Sequence, residues 1–234
     1  MRPFFMRPFF MRPDFMRFVP ALFAALVLSA CAADHVYAPD DVVARARYVD
    51  TVDPPYVTLF TVISNENEAG AHSGLLINGS QRVLYDPAGT WLSEQAPERY
   101  DMHYGITDGV LRFYVDFHAR VSFRVQEQTL PVSLETANQI IALAEAEGAS
   151  KKGFCADSIS HILLQVPEFQ GTINSTLWPK KLSAEFGKLP GVSETVVYDN
   201  DSDDHRAMLL GNATGAEPAD ANGPALGAPA APTP

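Results

Sequence analysis

The sequence predicts an α+β fold, a small antiparallel sheet packed against helices, and three observations lead to it. Short β-rich runs such as Tyr56–Ile63 are interspersed with amphipathic helical runs such as the one from Ser133 to Glu147. The segments do not follow the regular strand–helix–strand order of parallel α/β sheets. The dipeptide Asn78-Gly79 lies between two β-rich runs and is typical of a tight hairpin turn.

Several local signals place the individual elements along the chain. Asn78-Gly79 joins the strand His72–Ile77 to a returning strand that ends before Asp86-Pro87. Ser133 is a helix N-cap and Gly148 a stop signal. The other predicted elements are a helix from Thr107 or Asp108 to Arg120, a strand Val121–Val125, a helix from Cys155 to Val166 ended by Pro167, a short helix opening at Trp178-Pro179, and a last strand Ser193–Tyr198.

The composition limits the classes of function. The chain has 234 residues, of which 47% are hydrophobic, enough to build the core of one domain. A formal net charge of -11 argues against nucleic-acid binding, which needs a basic surface. It also argues against charge-driven docking on anionic lipid, so any membrane attachment must be covalent or hydrophobic. We find no phosphate-binding glycine loop and no zinc cluster, and we expect no cofactor and no bound metal.

Residues 1–30 are predicted to be a signal peptide. Methionines head a short repeat at the start of the chain, and we take Met16 as the true start. Arg17 and the apolar run Phe18–Leu28 then form an ordinary signal sequence. That run is too short to cross a bilayer as a helix, which needs about 20 residues.

The four residues Leu28–Cys31, LSAC, directly follow the apolar run and resemble the lipobox of bacterial lipoproteins. The resemblance implies cleavage before Cys31 and acylation of Cys31, which would anchor the chain to a membrane through several acyl chains. Ala32 and Ala33 follow without a directly adjacent aspartate, which by resemblance to enterobacterial sorting implies the outer membrane, facing the periplasm. The alternative is a plain signal peptide cut after Ala30, with Cys31 free.

The mature chain divides into three parts by composition. Residues 31–55 read as the lipidated cysteine and a polar tether with one short helix. Residues 56–200 hold the α+β domain. Residues 201–234 read as an acidic loop followed by a disordered tail rich in Pro and Ala.

Cys155 has the sequence context of a nucleophile. If Cys31 carries lipid, Cys155 is the only free thiol in an oxidising compartment, where thiols are usually paired. Its predicted place at a helix start favours the thiolate, and Lys151 and Lys152 are expected to add to that effect. The Cys155 N–H could also bind an oxyanion. The alternative is a buried cysteine that acts as a small hydrophobic residue.

His72 and Asp86 are the residues that could activate this thiol. They lie near the open end of the predicted hairpin, His72 as the base and Asp86 as the carboxylate that orients the imidazole. The alternatives are an ordinary histidine at a strand edge and an aspartate that only forms a turn.

The segments AHSGLLINGSQRVLYDPAG and KKGFCADSIS resemble circularly permuted papain-like hydrolases. These are the permuted NlpC-type cell-wall peptidases and their relatives, including the lecithin:retinol acyltransferase group. The resemblance covers about Val57 to Val166 and rests on the order histidine, polar residue, cysteine. It implies a cysteine hydrolase or acyltransferase with Cys155 as nucleophile, acting on an amide or ester such as a peptidoglycan peptide or a lipid acyl group. The alternative is a non-catalytic envelope lipoprotein, a structural or binding module on the same fold.

The remaining polar motifs are interpreted as structural. His103, His118 and His161 are expected to be surface or otherwise satisfied residues. The acidic run from Asp199 to His205 could bind calcium, but it lacks the glycine and final glutamate of an EF-hand loop and is expected to be solvated. Phe113, Tyr114 and Phe117 have helical spacing and are expected to pack in the core.

Overall fold

The structure is a computed structural model that describes residues 36–205, so the predicted signal peptide, Cys31 and the C-terminal tail lie outside the described residues. In this part of the chain the α+β prediction is confirmed. The strands are β1 (Tyr56–Ser64), β2 (Gly70–Asn78), β3 (Arg82–Tyr85), β4 (Glu98–Arg99), β5 (Met102–Tyr104), β6 (Phe123–Pro131) and β7 (Ser193–Val197). The helices are α1 (Asp40–Ala46), α2 (Asp108–His118), α3 (Leu134–Glu147), α4 (Cys155–Leu164) and α5 (Pro179–Phe186), with a 3₁₀ turn at Pro167–Phe169.

All neighbouring strands of the sheet are antiparallel, in the order β4-β5-β3-β2-β1-β6-β7. The central strand β1 is buried along almost its whole length, because β2 and β6 pair with its two edges and its side chains pack into a core cluster on each face. The predicted hairpin is confirmed, since β2 and β3 pair from Leu75 opposite Tyr85 to Asn78 opposite Arg82.

Helices cover both faces of the sheet. On one face, α3, α4 and α5 pack on side chains such as Leu75 and Ile77, and on the other face α2 packs on side chains such as Phe60 and Leu76. Consecutive strand residues point to opposite faces. His72, Gly74 and Leu76 are two residues apart along β2, so all three lie on the same face, the α2 face.

Helix ends match the local chemistry of the sequence. The Thr107 side chain accepts a hydrogen bond from the Val110 N–H, and the Ser133 side chain accepts one from the Thr136 N–H. Gly148 ends α3 with a φ of 71°, a conformation that glycine adopts without strain. No helix in the described range 36–205 has the length and apolar character needed to cross a membrane.

The segment predicted as a tether contacts the sheet from Tyr37 onward. Tyr37 forms a bridge to Arg99 at the β4 edge. Farther along, Asp50 binds the buried Arg82 guanidinium at 3.1 Å, and the Tyr48 ring lies against the same group. The structure also extends the predicted strand at Val121–Val125, which begins at Phe123 and continues to Pro131.

Candidate active site

A notch in the sheet edge brings the three predicted site residues together. β3 pairs with β2 only as far as Tyr85, so the β2 segment Gly70–Gly74 extends past the end of β3. Asp86 follows β3 directly, and α4, which begins at Cys155, packs against β2. The notch lets the first turn of α4 approach β2 where His72 is located.

His72 and Asp86 are directly hydrogen-bonded. His72 Nε2 lies 2.7 Å from Asp86 Oδ1, and the Tyr114 hydroxyl of α2 donates to the same oxygen at 2.9 Å. The Asp86 and Tyr114 side chains are buried, whereas the His72 side chain is 15% exposed. The His72 imidazole is thus held by Asp86 at one ring nitrogen and partly exposed to solvent elsewhere.

The two partners change each other's ionisation. Burial opposes the charge on Asp86, but the charge and hydrogen bond of His72 outweigh it and hold the pKa of Asp86 well below its usual range. Burial would also lower the pKa of His72, but Asp86, assisted by Cys155, raises it to about 10. The site therefore holds an imidazolium–carboxylate pair at neutral pH.

Cys155 is the first residue of α4 and is 5% exposed. Among its neighbours, the His72 imidazole has the largest effect on its thiol. Because Nε2 faces Asp86, Nδ1 is the ring nitrogen left for the sulfur. Burial favours the neutral thiol, but the hydrogen bond and charge of His72 outweigh it, and the N–H groups of Ser73 and Ala156 assist, so that the pKa of Cys155 is lowered.

Lys151 and Lys152 are not among the leading causes of that lowered thiol pKa, contrary to the expectation from sequence. Both residues are exposed, and the effect of an exposed charge is screened by water. The His72 imidazolium is the dominant charge acting on the sulfur.

His118 also belongs to the site, although from the sequence we expected it to be a surface or otherwise satisfied residue. Its ring stacks on His72 with a centroid distance of 5.6 Å and an interplanar angle of 9°. Its Nδ1 lies 2.8 Å from the Tyr114 carbonyl oxygen. Burial lowers the pKa of His118 to about 4, so the ring is neutral at pH 7. Tyr114 and His118 are one helical turn apart on α2 and so reach the His72–Asp86 pair together.

Two glycines leave the space that this cluster occupies. A Cβ on Gly74 would lie 2.2 Å from the Tyr114 hydroxyl oxygen, and a Cβ on Gly89 would lie 1.7 Å from Asp86 Oδ2. Neither position has room for a side chain while Asp86 and Tyr114 keep their hydrogen bond. The Asp86-Pro87-Ala88-Gly89 turn is therefore shaped around the carboxylate.

Asp101 ties the loop after Asp86 to the loop before Cys155. Its Oδ2 accepts the N–H of Ala88 at 2.7 Å and the N–H of Ser150 at 2.8 Å. Its carbonyl accepts the Asp86 N–H at 2.8 Å. One side chain thus fixes the base and nucleophile halves of the site relative to each other.

The other predicted polar residues lie elsewhere. His161 is paired with Glu147 at 2.7 Å on the surface. His103 is buried against Trp91, with ring centroids 4.9 Å apart. The predicted solvated loop instead binds the segment just before β6, where Asp201 pairs with Arg120 and Asp203 with Ser122.

Two clusters among residues 36–205 bring together groups that could ligate a metal: His72 with Asp86 and His118, and Asp116 with Asp199 and Asp201. In the first, Nε2 and Oδ1 already bind each other, and the in-plane lone pairs of nearly parallel rings do not converge on one point. In the second, Arg120 pairs with Asp116 and Asp201 and supplies positive charge. Neither geometry requires an ion.

Comparisons with known proteins give no match to any family model, to any curated protein or to any solved structure.

Proposed function

We propose that the chain is a lipid-anchored envelope protein of the circularly permuted papain-like type, a cysteine hydrolase or acyltransferase that acts on an amide or ester. The observation that carries this proposal is the placement of the His72 imidazole, which hydrogen-bonds to Asp86 and lowers the pKa of the Cys155 thiol. A peptidoglycan peptide and a lipid acyl group remain the two candidate substrates. Acyl chains on Cys31 would place the domain at the periplasmic side of the outer membrane.

The proposed chemistry starts from the Cys155 thiolate and the His72 imidazolium. The Cys155 thiolate attacks the carbonyl carbon, and the oxygen takes the negative charge. The Cys155 N–H belongs to the first turn of α4, lies outside the intrahelical hydrogen bonds and is available to that oxyanion.

The second half of the reaction uses the same base. His72 donates its proton to the leaving nitrogen or oxygen, and a thioester remains on Cys155. Neutral His72 then removes a proton from water in a hydrolase, or from an acceptor hydroxyl or amine in an acyltransferase. Attack of that oxygen or nitrogen on the thioester releases the acyl product and restores the Cys155 thiolate and the His72 imidazolium. Asp86 keeps the ring orientation and stabilises the imidazolium throughout.

The test is acylation of Cys155 by p-nitrophenyl acetate, followed by mass spectrometry of the intact protein and of its peptides. We expect an acetyl adduct on Cys155 and no adduct in Cys155→Ala. Iodoacetamide alkylation as a function of pH should give a thiol pKa below the free value of about 8.5. His72→Ala should return that pKa to or above the free value, because it removes the leading cause of the shift.

The non-catalytic alternative makes the opposite prediction. A Cys155 thiol with an ordinary or raised pKa and no acetyl adduct would support a structural or binding module on the same fold. Circular dichroism of Cys155→Ala should match the wild type in either case, since the side chain is small.

A further inference from the structure

The lysines of this acidic chain are unevenly distributed. Aspartate and glutamate total 28, against 17 lysines and arginines. Every lysine lies in one part of the sequence: Lys151, Lys152, Lys180, Lys181 and Lys188. The first two precede α4, and the next two lie in the first turn of α5.

The fold brings these two lysine pairs to the same end of the sheet. A Cβ on Gly70 would lie 2.8 Å from the Lys180 backbone nitrogen, so α5 begins against the start of β2, two residues before His72. The Ser175 hydroxyl donates to Asp157 Oδ1 at 3.2 Å, which ties the loop before α5 to the first turn of α4. Both pairs therefore flank the Cys155 site.

Large apolar side chains next to these lysines along the chain are exposed. Phe154 is 41% exposed, Leu177 46% and Trp178 71%. Exposed aromatic and aliphatic side chains grouped together mark a binding surface more often than scattered ones do. We call this surface the lysine–tryptophan face and define it by Lys151, Lys152, Phe154, Leu177, Trp178 and Lys180.

The chemistry of this face selects one kind of partner. Tryptophan and lysine together are typical of protein surfaces at the membrane–water interface, where the indole lies at headgroup level and the ammonium groups meet lipid phosphates. Glu68, 3.6 Å from Lys180 Nζ, and Asp157 partly offset the positive charge. The apolar side chains therefore supply the larger part of the binding and the lysines the preference for anionic lipid.

A second copy of the chain is a poorer partner. In a two-fold contact the same patch meets itself, so each lysine pair would approach the lysines of the other copy. A bilayer with anionic headgroups presents the opposite charge. We propose that the lysine–tryptophan face docks on a membrane surface that bears anionic lipid headgroups. This docking is independent of any chemistry at Cys155.

The experiment uses intrinsic fluorescence of the chain from residue 31 onward, with Cys31→Ser so that no acyl chain is attached. Both core clusters lie between Tyr56 and Leu189, so this chain keeps the whole domain core. The two tryptophans differ, since Trp91 is 1% exposed and Trp178 is 71% exposed. We expect phosphatidylcholine–phosphatidylglycerol vesicles to shift the emission to the blue and to protect Trp178 from iodide.

Matched variants separate the contributions of the apolar side chains and of the lysines to vesicle binding. Leu177→Ala should weaken vesicle binding about tenfold, because it removes most of the apolar side-chain surface that the bilayer would bury at this position. Leu134→Ala is the control, since Leu134 is 50% exposed at the start of α3, far from the notch. The double variant Lys151→Gln/Lys152→Gln should lose the preference for anionic vesicles.

Three outcomes would overturn the proposal: no blue shift with anionic vesicles, equal binding to pure phosphatidylcholine, or a blue shift that follows protein concentration without lipid. The last would show that a second copy covers the face. Acetylation of Cys155 by p-nitrophenyl acetate, measured without vesicles, reports on the proposed chemistry separately.

Discussion

Two buried carboxylates on the α2 face of the sheet differ in their ionisation. Asp86, at the end of β3, accepts hydrogen bonds from His72 and Tyr114, and its pKa is well below the usual range. Glu127, in the middle of β6 opposite Phe60, is 6% exposed, and burial alone raises its pKa to about 7. Burial is similar in the two regions, so the difference shows that the neighbouring groups decide whether a buried acid is charged.

The substitution Asp86→Asn tests whether the charge of the first carboxylate is needed for the reactivity of Cys155. We expect the rate of Cys155 acetylation to fall by roughly 10³-fold or more, because the imidazolium loses its counter-charge and the ring its preferred tautomer. The thiol pKa should rise at the same time, since a less basic His72 no longer favours the thiolate. Unchanged kinetics together with an unchanged thiol pKa would show that Asp86 is only a turn residue.

Glu127→Gln is the matched replacement in the other region, and it should leave acetylation unchanged. Its effect is on stability. The pKa of Glu127 is raised in the folded state, so the folded protein binds the proton more tightly than the unfolded chain does. The wild type should therefore lose up to about 3 kcal/mol of unfolding free energy as the pH rises from about 4.5 to 7.

Urea unfolding at a series of pH values checks this difference. Glu127→Gln should be less sensitive to pH across that window and more stable than the wild type above pH 7. Parallel curves for the two proteins would mean that Glu127 finds a charged partner when it ionises.

Tyr114→Phe removes one hydrogen-bond donor from Asp86 and keeps the aromatic ring of residue 114. The lost hydrogen bond to a charged group corresponds to roughly 1.5–3 kcal/mol. We expect Asp86 to bind the His72 imidazolium more tightly and so to raise the pKa of His72. The high-pH side of the pH–rate profile for Cys155 acetylation should then lie at a higher pH than in the wild type. A profile that keeps its shape, with only a lower melting temperature, would limit Tyr114 to packing.

His118→Phe should have the smallest effect. A phenyl ring can keep the stacking on His72, and His118 is neutral at pH 7 because its pKa is about 4. We expect a change in acetylation rate of less than about threefold and no shift of the thiol pKa. A large rate loss would mean that the His118 imidazole takes part in proton transfer.

Much of the fold was predictable because its signals are local. The Asn78-Gly79 turn, the Thr107 and Ser133 caps and the α4 start at Cys155 each depend on a few adjacent residues. β4 and β5 were missed because strands of two and three residues have no periodicity and exist through pairing with β3 and with each other. β6 was predicted too short because Gln126–Gln128 interrupts its apolar pattern.

In the candidate site, too, the parts that depend on local sequence were predictable and the parts that depend on long-range packing were not. The proximity of His72 and Asp86 follows from one hairpin and could be predicted. The parts played by Tyr114 and His118 depend on where α2 packs across the sheet, which no local pattern encodes. Their spacing of four residues on a predicted helix was the one available signal, and it also fits ordinary core packing.

The spacing of these residues along the chain has a consequence for the order of assembly. His72 and Asp86 are 14 residues apart and can meet as soon as their hairpin forms. Cys155 comes much later in the chain and needs α4 docked on the sheet before it reaches the imidazole. In a partly unfolded chain in which α4 is not docked, Cys155 lacks the His72 imidazolium and is an ordinary, weakly nucleophilic thiol. The lowered thiol pKa belongs only to the completed fold, so an incompletely folded chain is protected from reaction at its own thiol.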